Sequence, residues 1–547
     1  MGLQLGSTNL PPMADINIDV DVTTAISTSN TGNGNSTMKF PRAVELLVLT
    51  FNCAKNVIDV PVFGAHLRGA LAQDGRRPLP DLVVMSLQEI APLSYSFLGE
   101  WFLGPYYTAF GDALNLAVKE NQGEVGGRYT LVKAKNVGMT ALLIFALHPE
   151  RLDVNGMEEA EVGFGAADMG NKGAVGVRVC YSPSKSSPSS SSQGQQSTEL
   201  TFVATHLAAM EWNLKKRNAN WRAIVSKLTF ANPLSVLPGV FPAKEPKAHH
   251  DRSGPGKHSP PPLVARTGSM DSSEEEDAPL LSPPSTFPIT TEDDSTPTLT
   301  PSQKRQLQDI SIFKPSSHLF VAGDLNYRIS STTPPPGSSF PSFDPSSEHH
   351  YSTFFSRDQL TEERLAGRTF HGMEEAEVGF GPTYKYDVLS GPTGAENEEA
   401  VRRGSMVDGV KEVPWKFAGH RWPAWTDRVL YSAAAGEGEM ETVRYGSLPV
   451  VESSDHRAVF WRGRVPLSAR GQGKEGIEDG EEGEGKKKLP VDIDVYSWER
   501  RQKARRREVV VGLLALVWST KEGAVFLGTV AVVGMGWWWW FARGVMV

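Results

Sequence analysis

Short apolar runs, each about as long as a β-strand, recur along most of this 547-residue chain. The first, VELLVLTF, starts at Val44, and the last, AVFW, ends at Trp461. Segments with helical spacing lie between some of the runs, most clearly from Ala208 to about Phe230. Strands and helices mixed along such a length are typical of an α/β fold, which is the fold class that we predict.

Charge and cysteine content exclude several classes of protein. Lys and Arg total 55 against 63 for Asp and Glu, a net charge of −8, which argues against a nucleic-acid partner. Cys53 and Cys180 are the only cysteines, too few for a disulfide scaffold or a cysteine-built zinc site. They fit a reducing compartment, and the polar N-terminus predicts no signal peptide.

Low-complexity segments interrupt the patterned part of the chain. Residues 1–39 are rich in Ser, Thr, Asn and Gly and are predicted to form a disordered tail. Four further polar stretches are predicted to be disordered loops inserted into a compact core. They lie at about 182–197, 243–308, 331–348 and 389–412.

The C-terminal part of the chain predicts a membrane anchor. Residues 466–508 are interpreted as a charged linker that ends in a basic cluster, RRQKARRR, suited to the cytosolic side of an anionic membrane. Residues 509–547 are interpreted as the anchor, with a charge-free span at about 523–541 long enough for a transmembrane helix. The alternative is a buried amphipathic helix. We expect a single-pass protein with a cytosolic catalytic domain, at the endoplasmic reticulum or another endomembrane.

Polar residues stand at the ends of several predicted strands, where a buried core would exclude them. Taken one at a time, each is compatible with a turn or a solvated strand end. Together they supply the hard-oxygen ligands and acid–base groups that Mg²⁺-assisted hydrolysis of a phosphate ester requires. They are Asn52, Glu89, His206, Asp324, Asn326, Asp455 and His456.

The motifs around these residues occur in a recognisable order. The series runs LTFNCAK, SLQEI, ADMGNKGAVGVRV, ATHLAAMEWNLKKRNANW, VAGDLNYRI, GPTYKYD, PAWTDRVLY and SSDHRAVF. It resembles the motif series of the magnesium-dependent inositol polyphosphate 5-phosphatases, within the exonuclease–endonuclease–phosphatase superfamily. PTYKYD followed by PAWTDR, after GNKG, favours the phosphatases over their nuclease relatives. The resemblance covers about Pro41 to Val465 and implies a catalytic domain at 40–465.

The resemblance implies a four-layer fold, in which helices flank two packed mixed β-sheets, and a Mg²⁺ cofactor. Asn52 and Glu89 are expected to hold the ion, with Asp455 near the same metal–phosphate cluster. Asp324 is expected to activate the attacking water, with Asn326 beside it.

Further residues of the motifs are expected to contact the substrate. His456 is expected to bind the scissile 5-phosphate and to be oriented by Asp427, with His206 as a second phosphate-facing donor. The family's lysine before PAW has no certain counterpart, and either Lys416 or Arg421 could serve. Residues expected to bind the headgroup are Lys172, Asn171, Asn218, Tyr384, Lys385 and Arg421.

The function implied is a membrane-anchored phosphoinositide 5-phosphatase acting on phosphatidylinositol 4,5-bisphosphate, with the 3,4,5-trisphosphate as a further candidate. A 5-phosphatase of soluble inositol polyphosphates remains an alternative. A nuclease or sphingomyelinase of the same superfamily is a second alternative, but it would not explain the presence of the PTYKYD motif. A phosphoinositide-binding scaffold without catalysis would be expected to have lost one of the residues above, and all are present.

Overall fold

The computed structural model describes most of the patterned part of the chain. The predicted tail at 1–39 and most of the predicted insertions lie outside the described residues. The residues described are 43–71, 78–122, 127–183, 196–241, 298–389, 406–407, 410–411, 413–436, 438–469, 489–519 and 521–544.

Strands and helices alternate along the described residues, as the apolar runs predicted. The strands are β1 (Ala43–Asn52), β2 (Leu82–Gln88), β3 (Thr130–Val137), β4 (Thr140–Ala146), β5 (Glu158–Gly163), β6 (Gly173–Tyr181), β7 (Gln196–His206), β8 (Ser317–Asp324), β9 (Tyr386–Val388), β10 (Met406–Val407), β11 (Val410–Lys411), β12 (Trp415–Phe417), β13 (Asp427–Ser432), β14 (Glu441–Ser447), β15 (Val459–Pro466) and β16 (Ser468–Ala469). The helices are α1 (Val60–Leu71), α2 (Leu93–Leu98), α3 (Glu100–Gln122), α4 (Leu214–Lys227), α5 (Pro233–Val236), α6 (Pro301–Asp309), α7 (Tyr351–Phe355), α8 (Gln359–Leu365), α9 (Ser497–Ser519) and α10 (Lys521–Gly544).

Two large mixed sheets form the centre of the fold. The first has the order β14-β15-β1-β2-β4-β3, and the second has the order β13-β8-β7-β6-β5, with β16 beside β7. Each sheet contains one parallel pair, β1–β2 in the first and β7–β8 in the second. The two mixed sheets of the prediction are therefore confirmed.

Strand β1 explains how the layers are held together. Its side chains alternate between the two faces of the first sheet, because successive residues of a strand point in opposite directions. Val44 and Val48 enter the core between the sheets, which also contains Phe320 of β8. Leu47 and Phe51 enter the outer core, where helices α1 and α3 cover the sheet. Helix α4 covers the second sheet in the same way, which gives the four layers.

The predicted helix from Ala208 to Phe230 begins later than expected. Its α-helical part is α4, and a short 3₁₀ turn at Glu211–Asn213 precedes it. Met210 has a φ of 71°, a left-handed conformation that cannot continue a right-handed helix.

Two of the predicted insertions contain ordered structure. The end of the insertion predicted at about 243–308 belongs to α6, whose N-terminus is closed by a capping box between Thr300 and Gln303. Residues 331–348 contain turns rather than regular elements, but Phe343 packs against Trp415 and Phe417. These aromatic contacts hold the loop against the domain, so the described residues differ from the disorder predicted there.

The predicted linker at 466–508 is also corrected. Its described end folds as helix α9, whose residues Ala504 and Glu508 are fully buried. The basic cluster was expected to face an anionic membrane, but Arg501 lies against Glu161 of β5, with 2.8 Å between Nε and Oε1. Ion pairs with Glu161 and Glu508 allow Arg501 to be mostly buried.

The predicted transmembrane span at about 523–541 falls within α10. In the part of the chain that the structure describes, no helix combines the length and apolar character needed to cross a membrane. The C-terminal membrane anchor is therefore not supported.

Candidate active site

The carboxyl ends of the two parallel strand pairs place the predicted residues at one end of the sheets. In the first sheet, Asn52 is the last residue of β1 and lies beside Gln88, so that Glu89 follows at the same edge. In the second sheet, His206 ends β7 and lies in register with Asp324, which ends β8. Neighbouring parallel strands end at a common edge, and polar side chains collect there.

These strand ends line one cleft of about 580 Å³. Most of the predicted site residues line it, together with Lys55 and Arg328, which the sequence did not single out as site residues. The predicted residues in its lining are Asn52, Glu89, Lys172, His206, Asp324, Asn326, Tyr384, Lys385, Arg421, Asp455 and His456.

Asp324 lies at the centre of this arrangement and is buried. Its Oδ2 accepts a hydrogen bond from Asn52 Nδ2 at 3.1 Å and lies 3.3 Å from His206 Nε2. Its Oδ1 accepts from the backbone N–H of Asn326 at 3.1 Å. Burial raises the pKa of Asp324, but the hydrogen bond from His206 and the charge of His456 outweigh burial and hold the pKa well below its usual range. The carboxylate is therefore ionised and fixed from several sides.

His456 and Asp427 form a buried pair under the cleft. His456 Nδ1 lies 2.9 Å from Asp427 Oδ2, which also accepts hydrogen bonds from the hydroxyls of Thr383 and Thr426. Burial lowers the pKa of His456, but the carboxylates of Asp427 and Asp324 raise it to about 10. The imidazole is therefore protonated, with its Nε2 3.9 Å from Asp324 Oδ2.

Glu89 occupies a strained position beside this cluster. Its φ of 45° lies in the left-handed region, which a non-glycine residue adopts at a cost of about 1–3 kcal/mol and which is frequent at functional sites. Burial raises the pKa of Glu89, but the charges of His206, Lys172 and Lys55 outweigh burial and lower the pKa overall. Lys55 Nζ lies 3.7 Å from Glu89 Oε2.

The donor set fits a divalent cation that prefers oxygen ligands. Glu89 and Asn52 offer a carboxylate and an amide oxygen on one wall of the cleft. Asp324, Asp427 and His456 also bring their ligand atoms within 4.8 Å of one another. In that second group, however, a proton already lies between His456 and Asp427, so neither of the two atoms that share it is available to a metal. The group at Glu89 and Asn52 therefore fits a metal better.

His206 and Lys172 form a second polar contact at the cleft wall. Lys172 Nζ lies 3.0 Å from His206 Nε2, the same ring nitrogen that faces Asp324. One nitrogen cannot donate to Asp324 and accept from Lys172 at the same time. The Nε2 of His206 therefore lies between the ammonium group of Lys172 and the carboxylate of Asp324.

The opposite wall contains cationic and aromatic groups. Lys385 Nζ lies 3.5 Å from Asp455 Oδ2, and the guanidinium of Arg328 lies 4.4 Å from the centre of the Tyr384 ring. Arg421 Nη1 donates to Glu211 Oε2 at 3.0 Å. Its cationic groups make this wall suited to an anionic ligand.

Two of the predicted substrate-binding residues do not line the cleft. Asn218 Nδ2 donates to Glu363 Oε2 at 2.6 Å, and its Oδ1 accepts from the hydroxyl of Tyr327 at 2.7 Å. These bonds engage the Asn218 side chain within the helical layer. Asn171 belongs to the GNKG turn, but the cleft lining includes only its neighbour Lys172.

Arg328 has a supporting role that the strand-end pattern did not reveal. It is buried and donates from Nε to the backbone carbonyl of Asn326 at 3.1 Å and from Nη2 to the Asn326 side chain. Asn326 itself has a φ of 58°, so these bonds hold an unfavourable backbone conformation in place. The signal that could have identified Arg328 is its place as the last residue of the GDLNYR motif.

The chain is similar to several known proteins. The model of endonuclease/exonuclease/phosphatase family 2 matches residues 49–462. The polyphosphatidylinositol phosphatase INP53 of Saccharomyces cerevisiae is 23% identical over 404 residues, which cover 72% of this chain and 24% of that protein. The phosphatidylinositol polyphosphate 5-phosphatase type IV of Rattus norvegicus is 32% identical over 149 residues, covering 27% and 19%.

Among solved structures, the inositol polyphosphate 5-phosphatase domain of a synaptojanin, in complex with inositol (1,4)-bisphosphate and calcium, covers 78% of this chain and 86% of that chain. Its TM-score is 0.46 and its identity 20%. The chain spans a quarter or less of the two curated relatives, whose further regions it does not match. The family match extends over most of the chain and includes all the strand ends of the cleft. The chain therefore belongs to endonuclease/exonuclease/phosphatase family 2.

Proposed function

We propose that this chain hydrolyses the 5-phosphate of phosphatidylinositol 4,5-bisphosphate by Mg²⁺-assisted in-line attack of water. The observation that carries the proposal is the ionised carboxylate of Asp324, held in one cleft between His206 and His456. The names of the two curated relatives, both phosphatases of phosphoinositides, support the substrate class. Phosphatidylinositol 3,4,5-trisphosphate is a further candidate substrate.

Glu89 and Asn52 would hold the Mg²⁺, with Asp455 nearby in the cleft lining. When bound, the ion would supply positive charge that stabilises the phosphoryl oxygens in the transition state. Lys55, which lies 3.7 Å from Glu89, would balance that carboxylate when the ion is absent.

Asp324 would orient the attacking water and accept its proton as the new bond to phosphorus forms and the bond from phosphorus to the inositol 5-oxygen breaks, and the leaving oxygen would take up a proton from water. Its hydrogen bonds from Asn52 and from the backbone of Asn326 prevent the carboxylate from rotating away. The Asn326 side chain, held by Arg328, would stay beside the water or a phosphate oxygen.

His456 would donate from Nε2 to an oxygen of the scissile phosphate. Because Asp427 engages Nδ1, the ring is held with Nε2 facing Asp324. A donor fixed in this way stabilises the charge that develops in the transition state without having to reorganise. Lys172 and His206 would contact the same phosphate from the opposite side.

Tyr384, Lys385 and Arg421 would select the headgroup through its remaining phosphates. Lys385 and Arg421 are each partnered by a carboxylate in the structure, Asp455 and Glu211. Binding of a 4-phosphate would require at least one of these cations to turn toward the substrate.

A 5-phosphatase of soluble inositol polyphosphates is the alternative enzyme, because the same cleft chemistry would serve both. A catalytically inactive phosphoinositide-binding scaffold is the alternative outside catalysis. The two enzymes differ in whether a lipid surface increases the rate, and the scaffold differs from both in releasing no phosphate.

The test is phosphate release by the full chain from phosphatidylinositol 4,5-bisphosphate in mixed micelles and from inositol 1,4,5-trisphosphate, with and without Mg²⁺. Mg²⁺-dependent release that is faster on the lipid supports the proposal, and Asp324→Asn provides the blank. Release from the inositol phosphate alone selects the alternative enzyme. No release from either compound, with binding retained, selects the scaffold.

A further inference from the structure

Helix α9, which follows the region matched by the family model, packs against the outside of the active-site domain. Ala504 and Glu508 lie on its buried face and are fully buried. One turn further, Gly512 allows a close approach to α2, because a Cβ there would lie 3.0 Å from the Cβ of Phe97. These three positions are spaced four residues apart and share one helical face.

Glu508 is the centre of this contact. Its Oε1 accepts a hydrogen bond from the backbone N–H of Gly170 at 2.8 Å. Its Oε2 accepts from Arg501 Nη2 at 2.9 Å and lies 3.3 Å from Arg505 Nη1. A buried carboxylate is tolerated when it is paired and hydrogen-bonded in this way, and removal of a partner is costly.

Both arginines extend this contact to the domain. Arg501 donates from Nε to Glu161 Oε1 of β5 at 2.8 Å, and Arg505 donates to the carbonyl of Phe97 in α2 at 2.7 Å. Glu508 is therefore held in place by two arginines, one of which is anchored to β5 and the other to α2.

Gly170 is the first residue of the glycine-rich GNKG turn (Gly170–Gly173), which leads to the cleft. Its carbonyl accepts from Met139 N at 3.3 Å, and a Cβ at Gly170 would lie 2.8 Å from Val137 Cγ2. The turn is therefore confined between the strand β3–β4 connection on one side and Glu508 on the other. Two residues along, Lys172 reaches the cleft, where its Nζ lies 3.0 Å from His206.

We propose that Glu508 is a positioning residue for phosphate hydrolysis, which fixes the backbone of the GNKG turn and thereby the ammonium group of Lys172. This inference rests on the proposed function. Glu508 contacts neither substrate nor metal and acts only through Gly170. Helix α9 is then a part of the catalytic unit, although it lies outside the family match at 49–462.

The test uses the full chain and compares Glu508→Ala, Glu508→Gln and Glu499→Ala. Glu499 is in the first turn of the same helix and serves as the matched control. Below the unfolding temperature of each variant, Glu508→Ala is expected to lower kcat/KM on the order of 10-fold, because small displacements of catalytic groups have large effects on rate. Glu508→Gln keeps an acceptor for the Gly170 N–H and is expected to retain most of the activity.

A double-mutant cycle with Lys172→Ala separates positioning from general stability. If Glu508 acts through Lys172, Glu508→Ala has little further effect on kcat/KM in the Lys172→Ala background. A full 10-fold loss in that background, or wild-type kcat/KM in folded Glu508→Ala, would overturn the inference.

Hydrogen exchange gives a readout that does not depend on activity. Glu508→Ala is expected to speed amide exchange in peptides covering 166–173, and Glu499→Ala to leave it unchanged. If the wild-type chain releases no phosphate, the proposed function fails, and exchange alone decides whether Glu508 holds the turn. Unchanged exchange in Glu508→Ala would refute the positioning role.

Discussion

The active-site cleft and the α9 contact both bury acidic and basic side chains, but they satisfy them to different extents. In the α9 contact, both oxygens of Glu508 have donors, from Gly170 and the two arginines. Directly under the cleft, Asp427 Oδ1 is buried and has no hydrogen-bond partner among the described residues. His456 Nε2 comes no closer than 3.9 Å to Asp324.

The difference indicates what each region is built for. Closed networks fix a backbone, whereas a network left partly open keeps donors and charges available for a substrate. Substitutions in the cleft should therefore lower turnover more than stability, whereas substitutions in the α9 contact should lower stability more than turnover. The predictions that follow test this contrast, from the largest expected effect on turnover to the smallest.

Removal of divalent cations by EDTA is expected to lower turnover by about 10³-fold or more, because a bound cation contributes several kcal/mol to the transition state. The melting temperature should change by only a few degrees, since Lys55 already balances Glu89. Phosphate release before and after Mg²⁺ is added back, with a parallel circular dichroism melt, measures both. Undiminished release in EDTA would contradict the metal assignment.

Asp324→Asn is expected to lower kcat by about 10²–10⁴-fold, the usual contribution of a positioned acid–base group. The substitution preserves shape, so the folded state should persist. Steady-state kinetics at saturating Mg²⁺ measures the loss. Asp344→Asn, in the loop at 331–348, is the control, and equal kinetics in the two variants would remove Asp324 from the mechanism.

Lys172→Met is expected to lower kcat/KM by about 10–100-fold through loss of a charged phosphate contact. Lys227→Met is a matched control, because Lys227 Nζ contacts Asp168 on the segment before the GNKG turn, at 3.4 Å. That variant should stay within about 2-fold of wild type. A similar loss in both variants would show that the segment responds to charge in general rather than to Lys172.

Arg501→Leu is expected to destabilise the fold by about 3 kcal/mol, because Glu508 would lose one of its buried partners. Turnover of the folded protein should fall less than in Lys172→Met. Urea unfolding measures the stability, with Lys503→Leu on the exposed face of α9 as the control at about 0.5 kcal/mol or less. A loss of turnover that exceeds the loss of stability, when both are expressed as free energies, would contradict the difference between the two regions.

His66 of α1 belongs to neither region and predicts a pH effect on stability alone. Burial, with a smaller effect of Arg457, lowers its pKa from 6.5 to about 4. Because the folded state binds the proton less well than the unfolded state, stability is complete above about pH 6.5 and falls as the pH drops toward 4. The loss reaches about 3 kcal/mol, at about 1.4 kcal/mol per unit of pKa. In His66→Gln, the urea midpoints at pH 7 and pH 4.5 should lie closer together than in the wild-type protein. An equal drop of the midpoint in both proteins would refute the assignment of this pH effect to His66.

Much of the cleft could be predicted from the sequence because its signals are local. Asn52, Glu89 and Asp324 each stand at the end of a mainly apolar run, so the strand and its polar end are read together. The sheets then bring these ends to one edge without further information. Asn218 shows the limit, because a motif position does not reveal that its side chain is engaged by Glu363 and Tyr327.

The α9 contact could not be predicted because its partners are distant in sequence. Glu508 and Gly170 are 338 positions apart. A basic run reads as solvated unless the acidic groups that neutralise it are known, and Glu161 carries no sign that it faces Arg501. The same absence of local information led to the prediction of a linker there.

A repeated decapeptide shows that the neighbours of a segment, and not its own sequence alone, determine its structure. GMEEAEVGFG occurs at Gly156–Gly165, where it forms β5, and again at Gly372–Gly381. The second copy contributes only an isolated bridge from Glu374 to Tyr431 of β13. Identical residues therefore form a strand at one edge of the second sheet and an irregular segment at the other, according to their neighbours.

The most direct test of the account is to identify which phosphate the full chain removes from phosphatidylinositol 4,5-bisphosphate, by chromatographic analysis of the lipid product. The account predicts phosphatidylinositol 4-phosphate, formed only with Mg²⁺ and lost in Asp324→Asn. Formation of phosphatidylinositol 5-phosphate, or an unchanged yield in Asp324→Asn, would contradict it.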